Sequence, residues 1–153
     1  MDKKGKIVRS LEEMRLFSEN FLHTLIIQPR KEQATIVGLS GNLGAGKTAF
    51  VKCVATILGI TDVITSPTFV LEKIYSIPNG SLLKKSFSKL VHIDAYRLHS
   101  GDEMSALGWN DICAEPLNIV FIEWPEQVAS AMPKDMIKIS FEYVDDTTRN
   151  IRF

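Results

Sequence analysis

The sequence predicts an α/β fold in three layers, with helices on both faces of a mixed, mainly parallel sheet that also carries some antiparallel strands. Two apolar runs and one glycine-rich turn support this. Thr35-Ile36-Val37-Gly38-Leu39 reads as a short buried strand, and Asn118-Ile119-Val120-Phe121-Ile122-Glu123 has the length and composition of a buried parallel strand capped by a carboxylate. Directly after the first run, Gly41-Asn42-Leu43-Gly44-Ala45-Gly46-Lys47-Thr48 leads into a segment with helical spacing. Strand, loop and helix follow in order, and sheets of this kind bind ligands at the carboxyl ends of their strands.

The remaining elements follow from capping, periodicity and turn residues. Ser10-Leu11-Glu12-Glu13 is a capping box, after which Leu11, Met14, Phe17, Phe21, Leu22 and Leu25 mark one helical face until Pro29. The helix after the glycine-rich turn runs from Thr48, with Val51, Val54, Ala55 and Leu58 at helical spacing, and Gly59 stops it. Residues 65–71 lead into an extended segment as far as Ile77, expected to pair, by preference antiparallel, with 89–94 across a loop that begins at Pro78-Asn79-Gly80-Ser81. A short helical stretch opens at Gly101 and ends near Gly108, and another runs from Pro125 to about Met132. Segments 136–143 and 149–153 alternate like a hairpin around Asp145-Asp146.

A chain of 153 residues, 45% hydrophobic and 24% charged, suits a single domain spanning 1–153 with its own core. No apolar run reaches the length of a bilayer span, and no signal-peptide core follows Met1-Asp2-Lys3-Lys4-Gly5-Lys6, so the expected location is cytoplasmic, with no membrane contact. Cys53 and Cys113 stand far apart and outside any C-x-x-C motif, which argues for reduced thiols, Cys53 packed rather than reactive. His23, His92 and His99 lack zinc-ligand spacing. Eighteen basic against eighteen acidic residues give a net charge of zero, which does not support a direct grip on nucleic acid. Lys84-Lys85 and Lys89 form one local basic run, of a kind that is usually solvated surface.

The 41–48 segment fits G-x-x-x-x-G-K-[ST], a loop whose amides and following helix N-terminus converge on a phosphate group. Asn42, Leu43, Gly44, Ala45, Gly46, Lys47, Thr48 and Ala49 are the residues placed around that anion. Lys47 would neutralise charge across the β and γ phosphates, and the Thr48 hydroxyl would hold Mg²⁺. A second requirement is an acidic side chain at a strand end, and Asp94 and Glu123 both qualify. Glu123, on the more buried run, is assigned to the metal; Asp94, on the half-polar run Leu90-Val91-His92-Ile93-Asp94, to the attacking water or an outer position around the metal. The two roles are interchangeable on sequence alone, and Asp94 could instead cap a helix or pair with Arg97. Thr68 either senses the γ phosphate or is a turn residue after Pro67, and Trp124 lies beside the nucleotide, at a partner surface or in the core. No N-K-x-D stretch is present to read guanine, and the only D-x-x-G, starting at Asp2, precedes the loop, which favours ATP. A small-molecule kinase and a nucleotide-gated binding module are the competing readings.

Gly-Asn-Leu-Gly-Ala-Gly-Lys-Thr at 41–48, Ser-Pro-Thr-Phe at 66–69, His-Ile-Asp-Ala-Tyr-Arg-Leu at 92–98 and Ile-Glu-Trp at 122–124, in that order, closely resemble the TsaE family. The resemblance implies a P-loop NTPase sandwich and a small ATPase needed for threonylcarbamoyladenosine (t6A) formation in tRNA. It further implies action on a TsaB–TsaD transferase complex, with tRNA met through that complex, and ATP and Mg²⁺ as cofactors. Carried over by motif, the family's residues fall on Lys47, Thr48, Thr68, Asp94, Tyr96, Arg97, Glu123 and Trp124. Two departures stand out. Asn42 replaces an aspartate common in the family, and the 78–89 segment is longer than usual.

Overall fold

The computed structural model describes residues 5–79, 81 and 85–153. Residues 1–4, Gly80 of the 78–81 turn and Lys84 of the basic pair lie outside them. Strands are β1 (Lys6–Val8), β2 (Thr35–Ser40), β3 (Glu72–Ser76), β4 (Lys89–Asp94), β5 (Asn118–Glu123), β6 (Ile137–Tyr143) and β7 (Arg149–Arg152). Helices are α1 (Leu11–Ile26), α2 (Lys47–Ile57) and α3 (Trp109–Ala114), with 3-10 turns at Gly101–Leu107 and Pro125–Ala131. One sheet has the order β1-β7-β6-β2-β5-β4-β3. Its centre, β6-β2-β5-β4, is parallel, and its flanks close with antiparallel pairings: β3 on β4, and β7 between β6 and β1.

Strand parity sorts the core into two layers, because successive side chains leave a strand on opposite faces. On β5, Ile119 and Phe121 pack with α1 and α2, whereas Val120 and Ile122 pack with Met104, Trp109, Ile112 and Val128 of the opposite helical layer. That places helices on both faces, as expected from the sequence. Val51, Val54, Ala55 and Leu58 are all fully buried on α2, the face the helical spacing predicts. Phe50 joins them at the hub of an aromatic cluster, with ring centroids 5.5–5.8 Å from those of Phe17, Phe21, Phe121 and Phe141.

Several details depart from the sequence reading. At the start of α1 the Ser10 hydroxyl accepts from the Glu13 amide at 3.1 Å, but the Glu13 carboxylate turns to the amide of Arg9 at 2.7 Å rather than to that of Ser10. Leu11 is 75% exposed, because the first residue of the helix projects past the layer that Met14, Phe17, Phe21 and Leu22 bury. Strand β4 is half polar in sequence yet buried throughout 90–94, His92 and Asp94 included, with β3 and β5 flanking it. The three-residue β1 and the six-residue α3 were not read from the sequence, and both are too short to show a period.

Both cysteines are free, and burial pushes the Cys113 thiol up to about 11 and raises that of Cys53 as well, so neither is set up as a nucleophile. Among the described residues no helix is long and apolar enough to cross a membrane. Replacing Phe50 by Ala should lower unfolding free energy by about 3–5 kcal/mol, the range for truncating a buried aromatic. Urea denaturation measures it, and a loss below about 1 kcal/mol would show that the aromatic cluster is not the centre of the core.

Candidate functional site

Strand β2 ends at Ser40, and the chain turns through the glycine-rich loop into α2. Three glycines make that path possible. Gly41, Gly44 and Gly46 have φ of 145°, 78° and 107°, where an L side chain is strained. At Gly41 space is also closed, since a Cβ there would lie 2.4 Å from the Phe141 carbonyl oxygen. Gly46 is the N-cap of α2 and supplies no side-chain hydrogen bond to its first turn, so the helix presents amide donors and its positive end to the loop. This is a fit for an anion.

The eight loop residues predicted at the anion line this turn. Leu43 is exposed at its tip, Ala45 is buried and donates its amide to the Asn42 carbonyl at 3.0 Å, and Lys47, Thr48 and Ala49 form the opening turn of α2. The Lys47 ammonium donates to the Gly41 carbonyl and, at 3.1 Å, to that of Asn42, and it lies 4.4 Å from the centre of the Trp124 ring. Burial lowers the pKa of Lys47, opposed by the nearby charges of Glu123, Asp94 and Glu126.

The two candidate carboxylates stand in register at the carboxyl ends of adjacent parallel strands, Asp94 opposite Glu123. Leu90 of β4 and Phe121 of β5 face α2, so by parity His92, Asp94 and Glu123 face it too. Their partners differ. Glu123 Oε1 accepts from the Thr48 hydroxyl at 2.9 Å and from His92 Nε2 at 2.9 Å. Asp94 accepts from the hydroxyls of Thr68 at 2.8 Å and Ser66 at 3.3 Å through Oδ2, and from the Tyr96 amide at 2.9 Å through Oδ1. One acid is therefore joined to the phosphate loop and the other to the 66–68 segment. The Thr48 hydroxyl and the Glu123 carboxylate are hard oxygen donors of the kind magnesium prefers. No cluster of three or more acidic, His or Cys side chains able to hold a metal occurs among the described residues.

Trp124 adopts φ 59° and ψ 48°, a left-handed conformation that costs a non-glycine residue of order 1 kcal/mol or more. This conformation lets its amide donate to the Leu39 carbonyl at 3.2 Å and sets its ring 5.1 Å from that of Tyr96, beside Lys47. Arg97 does not pair with Asp94 in any described hydrogen bond; its guanidinium lies 4.8 Å from the ring of Phe69.

Two residues at the site were not assigned to it by sequence reasoning, which weighed Arg149 only as a lid arginine of the closing hairpin. Arg149, the first residue of β7, donates to the Gly44 carbonyl at 3.2 Å and to the carbonyls of Asp145 and Thr148 at 2.5 and 2.9 Å, with its guanidinium against the Tyr143 ring. No local pattern links it to a loop 105 residues away. His92 lacks metal-ligand spacing, but its position two residues before Asp94 puts it on the same strand face. A cleft beside the opening turn of α2 is lined by Ser10, Leu11, Met14, Gly46, Ala49 and Thr147.

The family model for Threonylcarbamoyl adenosine biosynthesis protein TsaE matches residues 8–151. The chain is similar to the tRNA threonylcarbamoyladenosine biosynthesis protein TsaE of Treponema pallidum, 40% identical over 120 residues, 78% of this chain and 82% of the relative. It is likewise similar to that of Borreliella burgdorferi, 35% identical over 137 residues, 89% of each chain. The crystal structure of Bacillus subtilus YdiB superimposes with a TM-score of 0.69 at 25% identity, covering 96% of this chain and 81% of that one. With a family match running almost from end to end and relatives aligned over most of their own length, the chain belongs to the TsaE family.

Proposed function

We propose that this protein is the ATP-binding and ATP-hydrolysing component of t6A formation in tRNA, and that it acts on a TsaB–TsaD transferase complex rather than on tRNA directly. The observation that carries the reading is the hydrogen bond from Thr48 to Glu123, which brings a hydroxyl and a carboxylate together at the mouth of an uncapped helix N-terminus beside the Lys47 ammonium. The relatives are named for threonylcarbamoyladenosine biosynthesis, which supplies the biological setting.

In this reading the loop amides and the positive end of α2 hold the β phosphate, and Lys47 turns from the Gly41 and Asn42 carbonyls toward the β and γ phosphates. Thr48 and Glu123 would hold Mg²⁺, which neutralises charge on those phosphates when bound. Asp94, clamped by Thr68 and the Tyr96 amide, orients the attacking water, and Thr68 links that carboxylate to a segment able to respond to the γ phosphate. The cleft beside Gly46 and Ala49, lined by apolar Val8, Leu11 and Met14 together with Arg9, Asp146 and Arg149, would take the base. Trp124 backs the Lys47 side.

A net charge of zero fits a role in which partners handle the tRNA. A small-molecule kinase gains no support, because Arg149, the one arginine hydrogen-bonded to the loop among the described residues, is tied down by three backbone carbonyls instead of standing on a closing lid. A binding module gated by nucleotide with only residual hydrolysis is separated from the proposal by turnover in the presence of partners.

Hydrolysis measured alone and with a purified TsaB–TsaD complex plus tRNA should be slow in the first case and faster in the second; phosphorylation of a small metabolite would remove the proposal. Lys47→Ala should cost roughly 3 kcal/mol of transition-state stabilisation, on the order of a hundredfold in kcat, and undiminished turnover would dissociate the loop from the chemistry. Glu123→Ala should keep metal-free nucleotide affinity in calorimetry while the magnesium-dependent gain in affinity and magnesium-dependent turnover drop; equal turnover would move the metal role to Asp94.

A further inference from the structure

We propose that His92 is a positioning residue for Glu123, its Nε2–H holding the carboxylate in the orientation that also accepts the Thr48 hydroxyl. The inference rests on the nucleotide-site reading above and adds a residue that the reading does not use.

The geometry begins with the sheet. In parallel register β4 sets His92 opposite Phe121 and Asp94 opposite Glu123, so the imidazole sits one side-chain layer below the acidic pair on the same face. It is fully buried, and the Glu123 side chain is 5% exposed. Oε1 of the carboxylate can only accept, so Nε2 carries the hydrogen of the 2.9 Å bond. Both this bond and the one from Thr48 converge on Oε1. Two donors from different elements, β4 and α2, thereby fix a flexible side chain whose free rotation would otherwise cost of order 1–2 kcal/mol to restrict when a ligand arrives.

Packing alone does not explain an imidazole here. Nδ1 of His92 is buried with no hydrogen-bond partner among the described residues. A phenylalanine or leucine would fill comparable space without leaving a polar atom unsatisfied. The side chain therefore buries one unpaired nitrogen while making one bond, and that bond ends on Glu123. Hydrogen bonds that orient a carboxylate beside a metal commonly change metal affinity or activity by about 10–100-fold when removed.

Two substitutions test the bond rather than the volume. In H92Q the amide nitrogen reaches about where Nε2 lies; in H92N it falls near Nδ1 and cannot reach Glu123. Calorimetry of ADP binding to the full chain, with and without Mg²⁺, is compared with the magnesium midpoint of ATP hydrolysis and with thermal melting. For H92N we expect nucleotide affinity without metal to stay within about twofold of the parent, the magnesium-dependent gain to fall about tenfold, the magnesium midpoint of hydrolysis to rise, and kcat to be reduced. H92Q should recover most of both losses. In the metal-free parent, a slowly exchanging imidazole N–H resonance should be present and should disappear from its position in E123A. A parent-like magnesium response in folded H92N overturns the proposal, as does equal impairment of H92N and H92Q. A parent that binds nucleotide with no magnesium effect would instead strike at the metal reading itself and take this inference with it.

Discussion

A single 2.9 Å hydrogen bond, from the Thr48 hydroxyl to Glu123, joins the opening turn of α2 to the end of β5, the strand beside the central β2. The bond needs a loop that reverses the chain after β2 without side chains in the way, and the left-handed glycines supply it. It also needs β5 beside β2, with Leu39 opposite Glu123, so that the carboxylate emerges beside the loop. The parallel centre of the sheet, the aromatic packing that seats α2 and the burial of both strand ends all serve to hold these two side chains at contact distance.

Much of this was legible in the sequence because the signals are local. The loop pattern, the apolar run before Glu123, the helical face through Val51, Val54, Ala55 and Leu58, and the hairpin around Asp145 each arise within about a dozen residues. What remained hidden depends on distant neighbours. The run Leu90-Val91-His92-Ile93-Asp94 is half polar in sequence, yet its polar positions are buried on the face that Leu90 shares with the α2 side of the core. The contact of Arg149 with Gly44 comes from the β6–β7 hairpin folding back on the loop, which no spacing within the chain encodes.

The choice between the two acids was likewise a tertiary question. Both end apolar or mixed strands, and both are buried. Their neighbours separate them: Thr48 and His92 for one, Thr68, Ser66 and the Tyr96 amide for the other. The left-handed residues Leu71 and Trp124 sit next to these two environments, where the chain bends sharply into β3 and away from β5. Among the described residues, non-glycine backbone strain of this kind thus falls at the rim of the site.

The contacts of Lys47 bear on how strongly any anion can be held. Its ammonium is already solvated by two oxygens of the loop that would receive the guest. Capture is then an exchange of ligands around one nitrogen, with the freed carbonyls left to find water or a new donor. Measured affinity will report only the difference between those two states, so a loop rich in donors can still release its product readily.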